Sequence, residues 1–196
     1  MVTSNKPEAR QRIVAGAADM ISRRGLTATS IREMAKHSGA PLGSTYHYFP
    51  DGKQQLATEA VRYTGDTIAH SLRKALRAGP AAGLEAFLAL WRAIVVDTDF
   101  RAGCPVLAVA IEEPPDGPTP PALAAAAQAF TDWENLLATS LREHGADPTN
   151  ADEVATLIVA AVEGTVAMCR AKHSIEPLDR TATQLQRLIQ LTIRPA

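Results

Sequence analysis

The stretch Ser30–Phe49, SIREMAKHSGAPLGSTYHYF, limits what this chain can fold into more than any other. Ser30 and Glu33 have capping-box spacing, so the hydroxyl can accept from the Glu33 amide while the carboxylate reaches back. Ile31, Met34 and Ala35 then share one face of the helix that follows. His37-Ser38-Gly39 ends it, with Gly39 free to take the left-handed conformation of a C-terminal cap. Pro41 suits the opening of a second helix, where a missing N–H costs nothing, and that helix runs from Leu42 to Phe49. Two short helices joined by a tight glycine-containing turn make a helix-turn-helix. Spacing alone leaves two readings open. One is a DNA-docking unit; the other is an incidental hairpin inside an all-α enzyme or small-molecule-binding protein.

The residue types favour the first. Gly43, Ser44, Thr45, Tyr46 and His47 are small or hydrogen-bonding groups on a very short helix. A helix that enters the major groove needs close backbone approach and polar side chains at its N-terminal end. With Ile13, Ala17, Gly25, Thr29-Ser30-Ile31, Met34-Ala35, Gly39, Gly43-Ser44, Tyr46-His47-Tyr48-Phe49, Lys53 and Leu56, residues 7–56 resemble the DNA-binding domain of the tetracycline-repressor (TetR) family. The resemblance implies that Thr29, Ser30, Leu42, Gly43, Ser44, Thr45, Tyr46, His47 and Lys53 face an operator. Leu42 stands where many members carry Lys or Arg, so fewer ionic contacts and an apolar contact with a thymine methyl are expected there. Pro50-Asp51-Gly52 puts one more residue between Phe49 and Lys53 than the common pattern has.

Charge agrees with such a division of labour. Residues 1–53 hold eight Lys/Arg against four acids, and the remainder holds twelve against seventeen. A basic end on an acidic body suits a protein that meets phosphates with one domain only. No apolar run approaches the ~18 residues of a membrane span. MVTSNKPEARQR lacks a signal peptide's apolar segment, and two cysteines do not make a disulfide framework. The expectation is a soluble, cytoplasmic protein.

Hydrophobic periodicity predicts an all-α chain of about nine helices with no strand. The first helix runs from Pro7 to about Arg24, with Ile13, Ala17, Met20 and Ile21 buried and Gly25 as its stop. Lys53 opens a long helix to about Ala78, and a fifth covers about 81–97. Cys104–Ile111 has strand-like propensity but is read as a short helix from Pro105. Pro114–Pro121 is a proline-rich surface loop. Helices follow over about 121–143, 151–172 and 178–193, with Gly145–Asn150 as a turn. The expected division is a three-helix helix-turn-helix DNA-binding domain, residues 6–66, and a ligand-binding and dimerisation domain, residues 67–196.

No active site emerges. The histidines at 37, 47, 70, 144 and 173 have no metal-binding spacing, and no glycine-rich loop follows a strand. Glu112-Glu113 reads as a solvated pair, and Cys104 and Cys169 as small buried hydrophobes. No cofactor, metal or catalytic residue is expected. Phe87, Trp91, Phe130, Trp133 and Met168, with Cys104, Leu107 and Ile111 as a further wall, are candidates to line a pocket for a small apolar or aromatic effector. Each is also an ordinary core residue by type. Val154, Ile158, Val162, Leu185, Leu188 and Ile189 give apolar faces suited to a homodimer. The family resemblance implies that the last two helices pair into a four-helix bundle, and that effector binding releases a repressor from a palindromic operator by moving the fourth helix. Gly103-Cys104-Pro105-Val106 and the Pro-Asp-Gly-Lys insertion are similar to the subgroup that regulates multidrug exporters.

Overall fold

The computed structural model describes residues 6–114 and 117–193, and among these the secondary structure is entirely helical. The helices are α1 (Lys6–Arg24), α2 (Ile31–His37), α3 (Leu42–Tyr48), α4 (Gly52–Leu76), α5 (Pro80–Asp97), α6 (Pro105–Ala110), α7 (Pro121–Glu143), α8 (Pro148–Lys172) and α9 (Glu176–Thr192). Cys104–Ile111 is therefore a short helix, with the Cys104 sulfur accepting from the Leu107 amide at its start. Within the Pro114–Pro121 loop, Pro115 and Asp116 lie outside the described residues.

The chain divides into two compact units. One comprises residues up to Gly65 together with Cys104–Ala129, and the other comprises Asp66–Gly103 and residues from Phe130 onward. This differs from a single cut at residue 66, because α6 and the first half of α7 belong with the N-terminal unit.

In the first unit α1 packs against α2, α3 and α6. Ile13, Ala17 and Ile21 on α1 meet a core that includes Met34, Ala35, Phe49, Leu56 and Ala60, all nearly or fully buried. Gly16 permits the close approach of α2, since a Cβ there would lie 2.3 Å from Ser38 Oγ. The Ser38 hydroxyl donates to the Met34 carbonyl at 2.7 Å. On the outside, Asp19 accepts from Arg23 Nε at 2.9 Å and lies 2.7 Å from His37 Nε2, joining α1 to the end of α2. Burial pushes the Asp19 carboxyl up, but hydrogen bonds and charge from Arg23 and His37 outweigh it and hold the group below its ordinary value. The stability that this ionised bracket contributes is present above the ordinary Asp range and is lost as pH falls through the lowered value.

In the second unit α8 packs on α9, and α5 packs on both. An Arg92–Asp179 ion pair joins α5 to α9, and Thr165 and Thr181 share a 3.0 Å hydrogen bond between α8 and α9. α8 departs from the sequence expectation at its start. It begins at Pro148 rather than 151, because the Asp147 carboxylate caps the amides of Thr149 and Asn150. Among the described helices it is also, by length and average composition, apolar enough to cross a membrane, although Glu163 interrupts its apolar run. Half of that stretch is buried in the protein, as in a core helix.

Candidate nucleic-acid interface

The α2–α3 hairpin is built by local chemistry. Ser30 Oγ accepts from the Glu33 amide at 3.2 Å, and the Glu33 carboxylate accepts from the Ser30 amide at 2.9 Å. The Ser30 hydroxyl also donates to the Glu33 carboxylate at 2.7 Å, and this bond with the one from the Ser30 amide holds the Glu33 carboxyl below its ordinary value. Gly39 turns the chain at φ +64°, and the Ala40 amide closes the end of α2 on the Ala35 carbonyl at 2.9 Å. α2 and α3 pack on each other. Phe49, fully buried, anchors the end of α3. Its ring lies 6.4 Å from that of Tyr48, with the Arg10 guanidinium 5.1 Å from its centroid.

α3 presents a mixed set of residues outward. Gly43, Ser44 and His47 are exposed, Tyr46 is 49% exposed and Leu42 is half-buried. A Cβ on Gly43 would meet no atom within 4 Å, so nothing inside the protein requires a glycine there. Two of the residues expected to face DNA do not. Thr45 is fully buried, with its hydroxyl donating to the Pro41 carbonyl at 3.1 Å. Thr29 is buried too, and its hydroxyl donates to the Leu26 carbonyl at 2.8 Å. Both hydroxyls satisfy nearby backbone instead of facing outward.

Among the cations, Arg10 forms an ion pair with Glu59, Arg23 with Asp19 and Arg24 with Glu33. Arg12, Arg32 and Lys36 are exposed outside these pairs. Arg32 and Lys36 stand four residues apart on α2, the helix before α3, a spacing that is readable in the sequence. Lys53 is half-buried on the first turn of α4, with Nζ 3.5 Å from the Thr27 carbonyl. Glu112 is not the free carboxylate expected from its sequence neighbourhood. It accepts from the Thr27 amide at 2.9 and 3.0 Å and from the Thr27 hydroxyl at 2.6 Å.

In the second unit, Phe87 lies 6.2 Å from Trp91 and 6.0 Å from Trp133, and Phe130 lies 5.5 Å from Trp133, all edge to face. The indole N–H of Trp91 is buried without a hydrogen-bond acceptor. Of the expected wall residues, Met168 is 48% exposed, and Ile111 is exposed as well. Cys104 and Leu107 belong, with Ile111, to the first unit. Cys169 is buried, which pushes its thiol up and makes it a poor nucleophile.

The expected dimer residues also require correction. Val154, Ile158, Val162, Leu185 and Ile189 are all buried within the single chain, and Leu188 is half-buried. The five buried side chains are covered by their own chain. The exposed face of α8 carries Leu157, Ala160, Gly164, Ala167 and Met168, and α9 exposes Leu191.

Comparison with known proteins agrees with this geometry. Residues 13–60 match the family of bacterial regulatory proteins, tetR family, and residues 80–184 match the C-terminal domain of LmrA/YxaF-like transcriptional regulators. The HTH-type transcriptional regulator Rv0196 of Mycobacterium tuberculosis is 39% identical over 92% of this chain and 93% of its own. LmrA of Bacillus subtilis, an HTH-type transcriptional regulator, is 30% identical over 87% of this chain and 91% of its own. The crystal structure of a TetR transcriptional regulator from Chloroflexus aurantiacus superposes with a TM-score of 0.76 at 26% identity, covering 97% of this chain and 98% of that one. The chain belongs to the TetR family of transcriptional regulators, with a C-terminal domain of the LmrA/YxaF type.

Proposed function

We propose that this regulator is a cytoplasmic, dimeric repressor that leaves a palindromic operator when a small apolar or aromatic effector binds. The observation that carries the reading is the outward face of α3, where Gly43, Ser44, Tyr46 and His47 stand exposed. Ser44, Tyr46 and His47 contact bases and phosphates, and Leu42 meets a thymine methyl. Ser30, Lys53, Arg32 and Lys36 contact phosphates. Thr29 and Thr45 act inside the fold. Functionally, residues 6–66 bind DNA and residues 67–196 take the effector and form the dimer.

A two-fold dimer matches a two-fold operator. Its interface uses the outer faces of α8 and α9. Ala160, Gly164 and Ala167 let a second helix approach closely, while Leu157, Met168, Leu188 and Leu191 supply apolar area.

The effector enters at the rings of Phe87, Trp91, Phe130 and Trp133. An apolar aromatic compound suits these walls better than a sugar or phosphate, whose polar groups would go unpaired. To act as an inducer, it binds the DNA-incompetent state more tightly, by about 1–3 kcal/mol of coupling. α4 carries the signal, being one unbroken helix from Gly52 to Leu76. Regulation of a multidrug exporter fits an effector of this class.

The test is a gel-shift titration of the gene's own upstream fragment across a series of salt concentrations. Lys53→Gln is expected to reduce the salt slope by about one unit with unchanged sequence preference, the signature of one lost phosphate contact. An identical slope would make Lys53 a bystander.

A further inference from the structure

The carboxylate of Glu112 reaches the α1–α2 loop from far along the chain. Eighty-five residues separate it from Thr27, yet it accepts from both the amide and the hydroxyl of that residue. Gly25 at φ +80° leaves the room, because a Cβ there would come within 2.9 Å of Glu112 Oε1. On the other side of the same peptide segment, Lys53 Nζ lies 3.5 Å from the Thr27 carbonyl. Thr27, Lys53 and Glu112 line one small cavity of about 110 Å³, with Leu26, Val109 and Leu123 among its apolar walls. Thr27 is thus held at its N–H by the end of α6 and at its C=O by the start of α4. Three residues later comes Ser30, the cap of α2.

We propose that Glu112 is a positioning residue for operator binding: its carboxylate fixes the α1–α2 loop through Thr27 and so sets where the Lys53 ammonium stands. It touches no DNA. A hydrogen bond to an ionised acceptor is stronger than one between neutral groups, and the Thr27 amide and hydroxyl both donate to this one carboxylate. This inference rests on the DNA-binding reading above.

The experiment uses the full chain and the upstream fragment, with Glu112→Ala, Glu112→Gln, Lys53→Gln and the Glu112→Ala/Lys53→Gln double variant. Without DNA, the Thr27 amide in Glu112→Ala is expected to exchange with solvent at least about tenfold faster than in wild type. With DNA, Glu112→Ala is expected to bind about tenfold more weakly, and Glu112→Gln, which keeps one acceptor oxygen, to fall between. The loss should shrink in the Lys53→Gln background, a coupling that a general loss of stability does not produce. Wild-type or tighter affinity in Glu112→Ala, or a loss of the same size with and without Lys53, overturns the proposal. If wild-type protein fails to shift any upstream fragment, the operator reading itself is wrong. The exchange rate at Thr27 still reports on the link in that case.

Discussion

Leu157→Glu is expected to yield a folded chain that sediments as a monomer and no longer binds its operator. Leu157 is 51% exposed on the outer face of α8, so a carboxylate there meets water in the isolated chain and leaves the fold intact. In a dimer that pairs the outer faces of α8 and α9, the same carboxylate is buried against an apolar partner, once from each copy. An unpaired buried charge costs several kcal/mol. Loss of the dimer removes one of the two half-site contacts, and operator affinity falls with it. Ile158→Glu makes the contrast: one position along, at 0% exposure, the charge enters the chain's own core and the expected result is unfolding. Sedimentation and thermal melting of the two variants check both outcomes. A Leu157→Glu protein that still sediments as a dimer moves the interface elsewhere.

The second large effect is expected at Tyr46. Tyr46 is 49% exposed near the end of α3. Tyr46→Ala therefore removes little internal packing and should change the melting temperature only slightly. Loss of a ring and hydroxyl at a protein–DNA contact is expected to cost about 1–3 kcal/mol of operator affinity. Unchanged affinity in a titration at fixed salt would mean that α3 does not lie against the DNA at this residue.

The parts that were legible in the sequence are those set by neighbours a few residues away. The Ser30–Glu33 capping box and the left-handed turn at Gly39 are local chemistry, and both appear in the structure. α8 starts earlier than its local composition suggests. Pro148-Thr149-Asn150 has the composition of a turn, but an Asp before a Pro is also a helix opening, and the Asp147 cap decides it.

Other features turned on which side of a helix faces inward. Thr45 is as polar as Ser44, yet α3 turns it into the unit, where the Pro41 carbonyl takes its hydroxyl. The apolar pattern of α8 could not distinguish the face buried by its own chain from the face left outside, because Ile158 and Leu157 are equally apolar. Packing alone makes the difference, at 0% against 51% exposure. Glu112 was illegible for another reason. Beside Glu113 it reads as solvated, and its partner lies across the fold rather than along the chain.

Gly43→Ala offers the sharpest separation of fold from function. Gly43 is exposed, has ordinary helical geometry within α3, and leaves open space where a Cβ would go. Alanine there relieves the helix of a glycine, a gain of up to about 1 kcal/mol. If α3 lies in the major groove, that open space is where the DNA backbone or base edges come close, and one methyl obstructs it. The measurement is operator affinity of wild-type and Gly43→Ala protein by gel-shift titration, with the melting temperature of each. A docked α3 predicts a variant at least as stable as wild type that binds about tenfold more weakly or worse. Equal affinity in a variant of equal or higher stability would contradict it.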